Sequence, residues 1–229
     1  MDHIKENISE IKLRMEDAAA KRGIDPGDIT LIAVSKYFPV EACKAAIDAG
    51  VKYLGENRAQ EMSSKFEVIG NKEVFWNFIG QLQKNKVKYI IDKAWLIQSL
   101  DRLELAETIN EQAKKHGIIS DVLIEVNIGD EIQKGGATPS SLDNFIKEIE
   151  QYENIRIKGL MAIPPVCSGD KVRDYFKQMK DLYEEQKAKE LSYAPFTYLS
   201  MGMSSDFEEA IEEGSNMVRV GTAIFGKRA

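Results

Sequence analysis

The chain has 229 residues of ordinary soluble composition, enough to bury a full core. Its 31 Lys and Arg against 37 Asp and Glu leave a net charge of -6, which argues against a nucleic-acid or anionic-membrane surface as the main partner. No apolar run approaches the ~20 residues of a spanning helix, and the charged amphipathic amino terminus has no signal-peptide core, so a cytoplasmic location is expected.

Residues 3–22 place Ile4, Ile8, Ile11, Met15 and Ala18 at helical spacing, and Gly23 and Pro26 stop that helix. Strand-like and helix-like segments then alternate: strand 31–35, helix 40–49, strand 53–55, helix 59–68, strand 75–79 and helix 83–91. Strand 95–100, helix 103–116 and strand 121–128 follow, then helix 140–152, opened by Pro139, and strand 155–163, closed by Pro164 and Pro165. Helix 171–189, strand 196–201, helix 205–214 and strand 217–220 complete the chain. About eight strands each followed by helical sequence, with no linker and no G-x-G-x-x-G after the first strand, predict an α/β fold. The expectation is a single (β/α)8 TIM barrel over residues 1–229 with an extra amino-terminal helix.

Cys43 and Cys167 lie far apart, and with only His3 and His116 beside them there is no tetrahedral metal set. Both thiols are expected to be free and structural. The lysines at 84, 86 and 88 read as a solvated helix face.

Chemistry in a barrel belongs at the carboxyl ends of the strands. Those ends carry Ser35-Lys36, Glu56-Asn57, Gly80-Gln81, Ser99 with Asp101, Asn127 with Lys134, Met161, Ser200-Met201-Gly202 and Arg219-Val220-Gly221-Thr222. Taken singly, each is more often a solvated strand end than a site. Strand parity sets Arg219 on the face opposite Val218 and Val220, pointing into the barrel. There it needs either a ligand or an inward carboxylate such as Glu125 or Asp101.

The loop with Ser200, Gly202, Ser204 and Ser205 and the loop with Gly221 and Thr222 bring glycines and hydroxyls to a barrel's usual phosphate position. The alternative is a capping box between Ser205 and Glu208. Lys36, closing an apolar strand, either pairs with Glu56 or serves as an amine nucleophile toward an aldehyde. With an ordinary pKa of ~10.4 a lysine is almost wholly charged at neutral pH, so such a pocket must depress it by desolvation or a nearby cation.

The segments LIAVSKYFP, GENRAQE, WNFIGQLQKNK, GLMAIPP, LSMGMSSDFEEAI and VRVGTAIFG, in order along nearly the whole chain, resemble the pyridoxal phosphate homeostasis protein family. That resemblance implies a fold-type III barrel like the barrel domain of alanine racemase, without that enzyme's second, β-rich domain. It implies pyridoxal 5'-phosphate as cofactor, held as an aldimine on Lys36, with Arg219 facing the pyridine nitrogen and Asn57 beside the ring. Ser200, Gly221 and Thr222, with main-chain amides near Met201, would hold the phosphate. Asn77 stands where the family pattern has histidine, and a neutral amide cannot shuttle protons near pH 7.

The resemblance also implies a non-catalytic protein that buffers or delivers the cofactor, influences amino-acid metabolism and acts as a monomer, with cofactor-dependent apo-enzymes as recipients. Two enzyme readings stand beside it. One is an amino-acid racemase using a second acid/base such as Tyr37. The other is a Schiff-base aldolase on a sugar phosphate, which leaves Arg219 unexplained.

Overall fold

A computed structural model describes residues 2–131, 133 and 135–226. Eight parallel strands close into a barrel in sequence order: β1 Thr30–Val34, β2 Tyr53–Glu56, β3 Phe75–Phe78, β4 Leu96–Leu100, β5 Ser120–Glu125, β6 Ile155–Met161, β7 Tyr198–Ser200 and β8 Met217–Val220. The seam lies between β1 and β8, where Ile32 stands opposite Arg219. The helices outside are α1 Asp2–Arg22, α2 Val40–Asp48, α3 Ala59–Ile69, α4 Leu103–His116, α5 Leu142–Ile149, α6 Asp170–Lys187, α7 Phe207–Glu212 and α8 Thr222–Phe225. No helix of the described residues is long and apolar enough to cross a membrane.

Period-two alternation divides the apolar residues into two cores. Val218 and Val220 turn outward into the large core shared with the helices, while Ile32, Val34, Leu96, Leu123, Met161 and Met217 fill the barrel interior. At the amino-terminal end of the barrel, four aromatic rings pack together. Tyr53 lies 5.3 Å from Phe75 and 5.0 Å from Trp95, and Trp95 lies 5.7 Å from Tyr198. This plug leaves the carboxyl end of the barrel as the place for a cavity.

The expected amino-terminal helix forms as α1 and buries Ile4, Ile8, Ile11, Met15 and Ala18. It is tied to the last barrel units by Arg14 to Glu208 at 2.6 Å and by Asn7 to the Ile224 carbonyl at 2.8 Å. Helix α4 forms over the expected residues and α3 runs one residue past them, while other helical patterns yield shorter helices or a 3-10 turn. The expected helix 83–91 is a 3-10 turn, Lys84–Tyr89, whose buried Val87 stands three residues before the buried cap residue Ile90, the eclipsed spacing of that tighter helix. The expected helix 140–152 begins with a separate 3-10 turn because Thr138 and Ser141 cap each other's amides around Pro139. In β6, Gly159 at φ +143 accompanies a register shift against β5, and a Cβ there would lie 1.8 Å from the Tyr198 carbonyl oxygen.

Candidate functional site

Lys36 is presented by a turn, two residues beyond β1. The Phe38 amide donates to the Ser35 carbonyl at 3.1 Å, so Lys36 and Tyr37 are the central pair, and Tyr37 takes φ +69. A positive φ at that second central position is ordinarily a place for glycine or asparagine. Lys36 borders a cavity of about 480 Å³ at the carboxyl ends of β1 and β8, a size suited to a small molecule. Val34, Phe38, Ile79, Ile163 and Met203 form its apolar wall; Ser204, Ser205, Gly221 and Thr222 form its polar wall.

Arg219 also borders this cavity, although it is only 3% exposed. It donates to Ser200 Oγ at 2.7 Å and to the Ala162 carbonyl at 2.9 Å. Burial pushes its pKa down to about 10, with Glu125 and Asp206 acting in the opposite direction, so it stays a cation at neutral pH. Asp101 pairs with Arg102.

Ser200 and Met201 sit behind the cavity wall. Both are fully buried; the Ser200 hydroxyl donates to Gln98 Oε1 at 2.7 Å, and the Met201 amide donates to the Met217 carbonyl at 3.2 Å. The chain of donors runs on from Gln98 to Asn77 Oδ1 at 3.0 Å and from Asn77 to the Phe75 carbonyl at 3.3 Å. Asn77 is thus one member of a neutral relay across the barrel interior.

The polar wall is built from two loops joined by one hydroxyl. Ser204 Oγ accepts from the amides of Gly221 at 3.1 Å and Ala223 at 3.3 Å. Among the described residues the amides of Ser204 and Ser205 have no protein acceptor. Gly202, at φ +91, lets this loop lie against α7, where a Cβ would come within 2.6 Å of Ala210 Cβ. The Ser205–Glu208 capping box does not form: α7 begins at Phe207, Glu208 is drawn to Arg14, and Ser205 Oγ reaches Asp206 at 3.3 Å.

Asn57 lies elsewhere. It borders a neighbouring cleft of about 500 Å³ with Arg58, Phe78 and Lys86, and its buried Oδ1 has no hydrogen-bond partner among the described residues. Tyr37 is 44% exposed, with the Arg58 guanidinium 4.8 Å from its ring centre, and does not border the Lys36 cavity. Lys134 is outside the described residues. Lys86 and Lys88 lie over the Tyr89 ring at 5.6 and 5.2 Å.

Glu56 is engaged by Lys65, not by the lysine expected beside it. Glu56 Oε1 accepts from Lys65 Nζ at 2.7 Å and from Ser35 Oγ at 2.6 Å. Sequence reading passed over Lys65 because its one visible signal was Glu61 four residues earlier, a spacing common on solvated helices.

Fold and site together define a parallel (β/α)8 barrel with an amine, a buried guanidinium and a hydroxyl-lined wall facing one cavity. The alanine racemase N-terminal domain family matches residues 1–229. A pyridoxal phosphate homeostasis protein of Aquifex aeolicus is 42% identical over 97% of each chain, and one of Escherichia coli K12 is 38% identical over 100% of this chain and 98% of its own. A solved structure of PipY from Synechococcus elongatus PCC7942, with PLP bound, superposes with a TM-score of 0.83 at 30% identity, covering 97% of this chain and 100% of that one. The chain belongs to the pyridoxal phosphate homeostasis protein family.

Proposed function

We propose that this protein binds pyridoxal 5'-phosphate in the Lys36 cavity and serves cofactor homeostasis without turnover of its own. The observation that carries the reading is the convergence of Lys36, Arg219 and the Ser204–Thr222 wall on a single cavity. Relatives that bear the homeostasis name, and a relative solved with PLP bound, support it.

The residues present fit a phosphorylated aldehyde. Uncommitted amides at Ser204 and Ser205, the Thr222 hydroxyl and the close-set Gly221, where a Cβ would meet Val34 at 3.3 Å, suit a phosphate. Bound there, pyridoxal phosphate supplies an electrophilic aldehyde on an electron-withdrawing ring. Lys36 Nζ is the nucleophile: it forms the nitrogen–carbon bond, and the aldehyde oxygen leaves as water with the two amine protons. Arg219 keeps positive charge at the cavity floor, which opposes protonation of a ligand nitrogen facing it. Ser200 acts one step back by fixing Arg219, and Met201 by its ladder bond. Asn57 borders the neighbouring cleft, and its buried Oδ1 is an acceptor without a hydrogen-bond partner among the described residues.

Among the described residues bordering the cavity, Lys36 and Arg219 are the only titratable side chains. A racemase needs a second proton carrier opposite the lysine, which makes a carrier the better reading. Mixing the protein with pyridoxal phosphate is expected to give a visible imine band that Lys36→Ala abolishes. Absence of the band, or its survival in Lys36→Ala, overturns the reading.

The proposal extends to a cytoplasmic monomer that passes its ligand to cofactor-dependent apo-enzymes. The loops after β6 and β7 leave Ile163, Val166 and Met203 exposed on the strand-end face, an apolar surface suited to a recipient. Loaded protein is expected to reactivate an apo-enzyme faster than an equal concentration of free pyridoxal phosphate, and light scattering is expected to report one chain per particle. Reactivation no faster than with free cofactor removes the delivery role.

A further inference from the structure

Lys65 projects from α3 into the protein and is 5% exposed, yet it does not border the Lys36 cavity. Its ammonium has three donors, and they meet three acceptors: the Ser35 carbonyl at 2.8 Å, Glu56 Oε1 at 2.7 Å and Glu61 Oε1 at 2.8 Å. Two of these flank Lys36. Ser35 is the residue before it, and Glu61 Oε1 also accepts the amide of Tyr37, the residue after it, at 2.6 Å.

We propose that Lys65 is a positioning residue for Lys36, holding the turn that presents the amine from both of its peptide neighbours. The inference rests on the reading of Lys36 as covalent anchor. Two further observations carry it. Tyr37 adopts φ +69, a backbone state costly for a bulky residue, and it persists where surrounding bonds over-determine it. Glu56 is wholly buried, with one carboxylate oxygen lacking a hydrogen-bond partner among the described residues. A charge pair set this deep is poor evidence for a stability role by itself. Its placement under the turn gives it a geometric one: Ser35 Oγ is bonded to Glu56, its carbonyl to Lys65, and the same carbonyl to Phe38.

A nucleophile displaced by about 1 Å can lose two orders of magnitude in rate, while binding of the rest of the ligand is untouched. The test therefore separates attachment from binding. Glu61→Ala removes the Tyr37 tie from a half-buried position, and Lys65→Met combined with Glu56→Gln removes the buried tie without leaving the wholly buried carboxylate charged, while Glu61, at 22% exposure, keeps access to solvent and to the Tyr37 amide. For each, stopped-flow absorbance measures imine formation with pyridoxal phosphate, and calorimetry measures affinity for pyridoxine 5'-phosphate, whose alcohol cannot react with an amine.

Attachment is expected to slow at least about tenfold, with affinity for the alcohol unchanged within about twofold. Attachment at the wild-type rate, or a parallel loss of alcohol binding, overturns the positioning role. Failure of the wild-type protein to form the imine is a different result and overturns the cofactor reading itself.

Discussion

Arg219 of β8 donates to the Ser200 hydroxyl of β7 at 2.7 Å, and that hydroxyl donates in turn to Gln98 on β4 at 2.7 Å. The guanidinium on the cavity floor is therefore held by a neutral chain with one fixed sense, from Arg219 through Ser200, Gln98 and Asn77 to the Phe75 carbonyl.

Ser200→Ala is expected to leave an Arg219 donor and the Gln98 carbonyl oxygen short of a partner in the barrel interior. Urea unfolding should show a loss of roughly 1–3 kcal/mol, the usual effect of orphaning buried polar groups. An unchanged unfolding midpoint would show that the chain can close without the hydroxyl.

Lys36→Ala should behave oppositely. Lys36 lies half-buried in a turn, outside both apolar cores, so the change should stay within about 0.5 kcal/mol of wild type in a thermal melt while removing covalent attachment. A large drop in stability would mean that the lysine is structural.

Gly159→Ala should be severe. Its Cβ would overlap the Tyr198 carbonyl oxygen, and the residue sits at φ +143, so β6 and β7 could not keep their pairing. A loss of more than ~3 kcal/mol, seen as poor soluble yield and an early urea midpoint, is expected. A normal midpoint would refute the packing argument.

Glu212 predicts a pH dependence. Lys21 at 2.8 Å, together with Arg173, holds its carboxyl below the usual glutamate range. A depressed carboxylate pKa adds stability that is present above the unfolded-state value of ~4.3 and disappears as pH falls through the folded value. Glu212→Gln should therefore cost about 0.5–1 kcal/mol at pH 7 and nothing measurable at pH 3, when urea midpoints are compared. Equal deficits at both pH values would assign the effect to packing.

The barrel was legible because its strands and helices repeat with different periods, and Arg219 was placed inward by the same parity that turned Val218 and Val220 outward. That rule gives direction and not depth. Ser200 ends a three-residue strand and lies below the rim, so loop residues such as Ser204 occupy the wall where Ser200 was expected. Lys65 was illegible for another reason: its acceptors include a carbonyl thirty positions away, which no local spacing encodes. The mutual capping of Thr138 and Ser141 and the 3-10 turn at Lys84–Tyr89 shortened helices whose apolar spacing alone ran on.

The aromatic plug of Tyr53, Phe75, Trp95 and Tyr198 turns the barrel into a vessel with a floor. Whatever enters must leave through the same opening, so filling and emptying are mutually exclusive events. A recipient covering the strand-end face would shut out refilling from solvent for as long as it stays. With a recipient docked there, exchange of the cavity's contents would be limited by that partner's residence time, where a channel open at both ends would keep flowing.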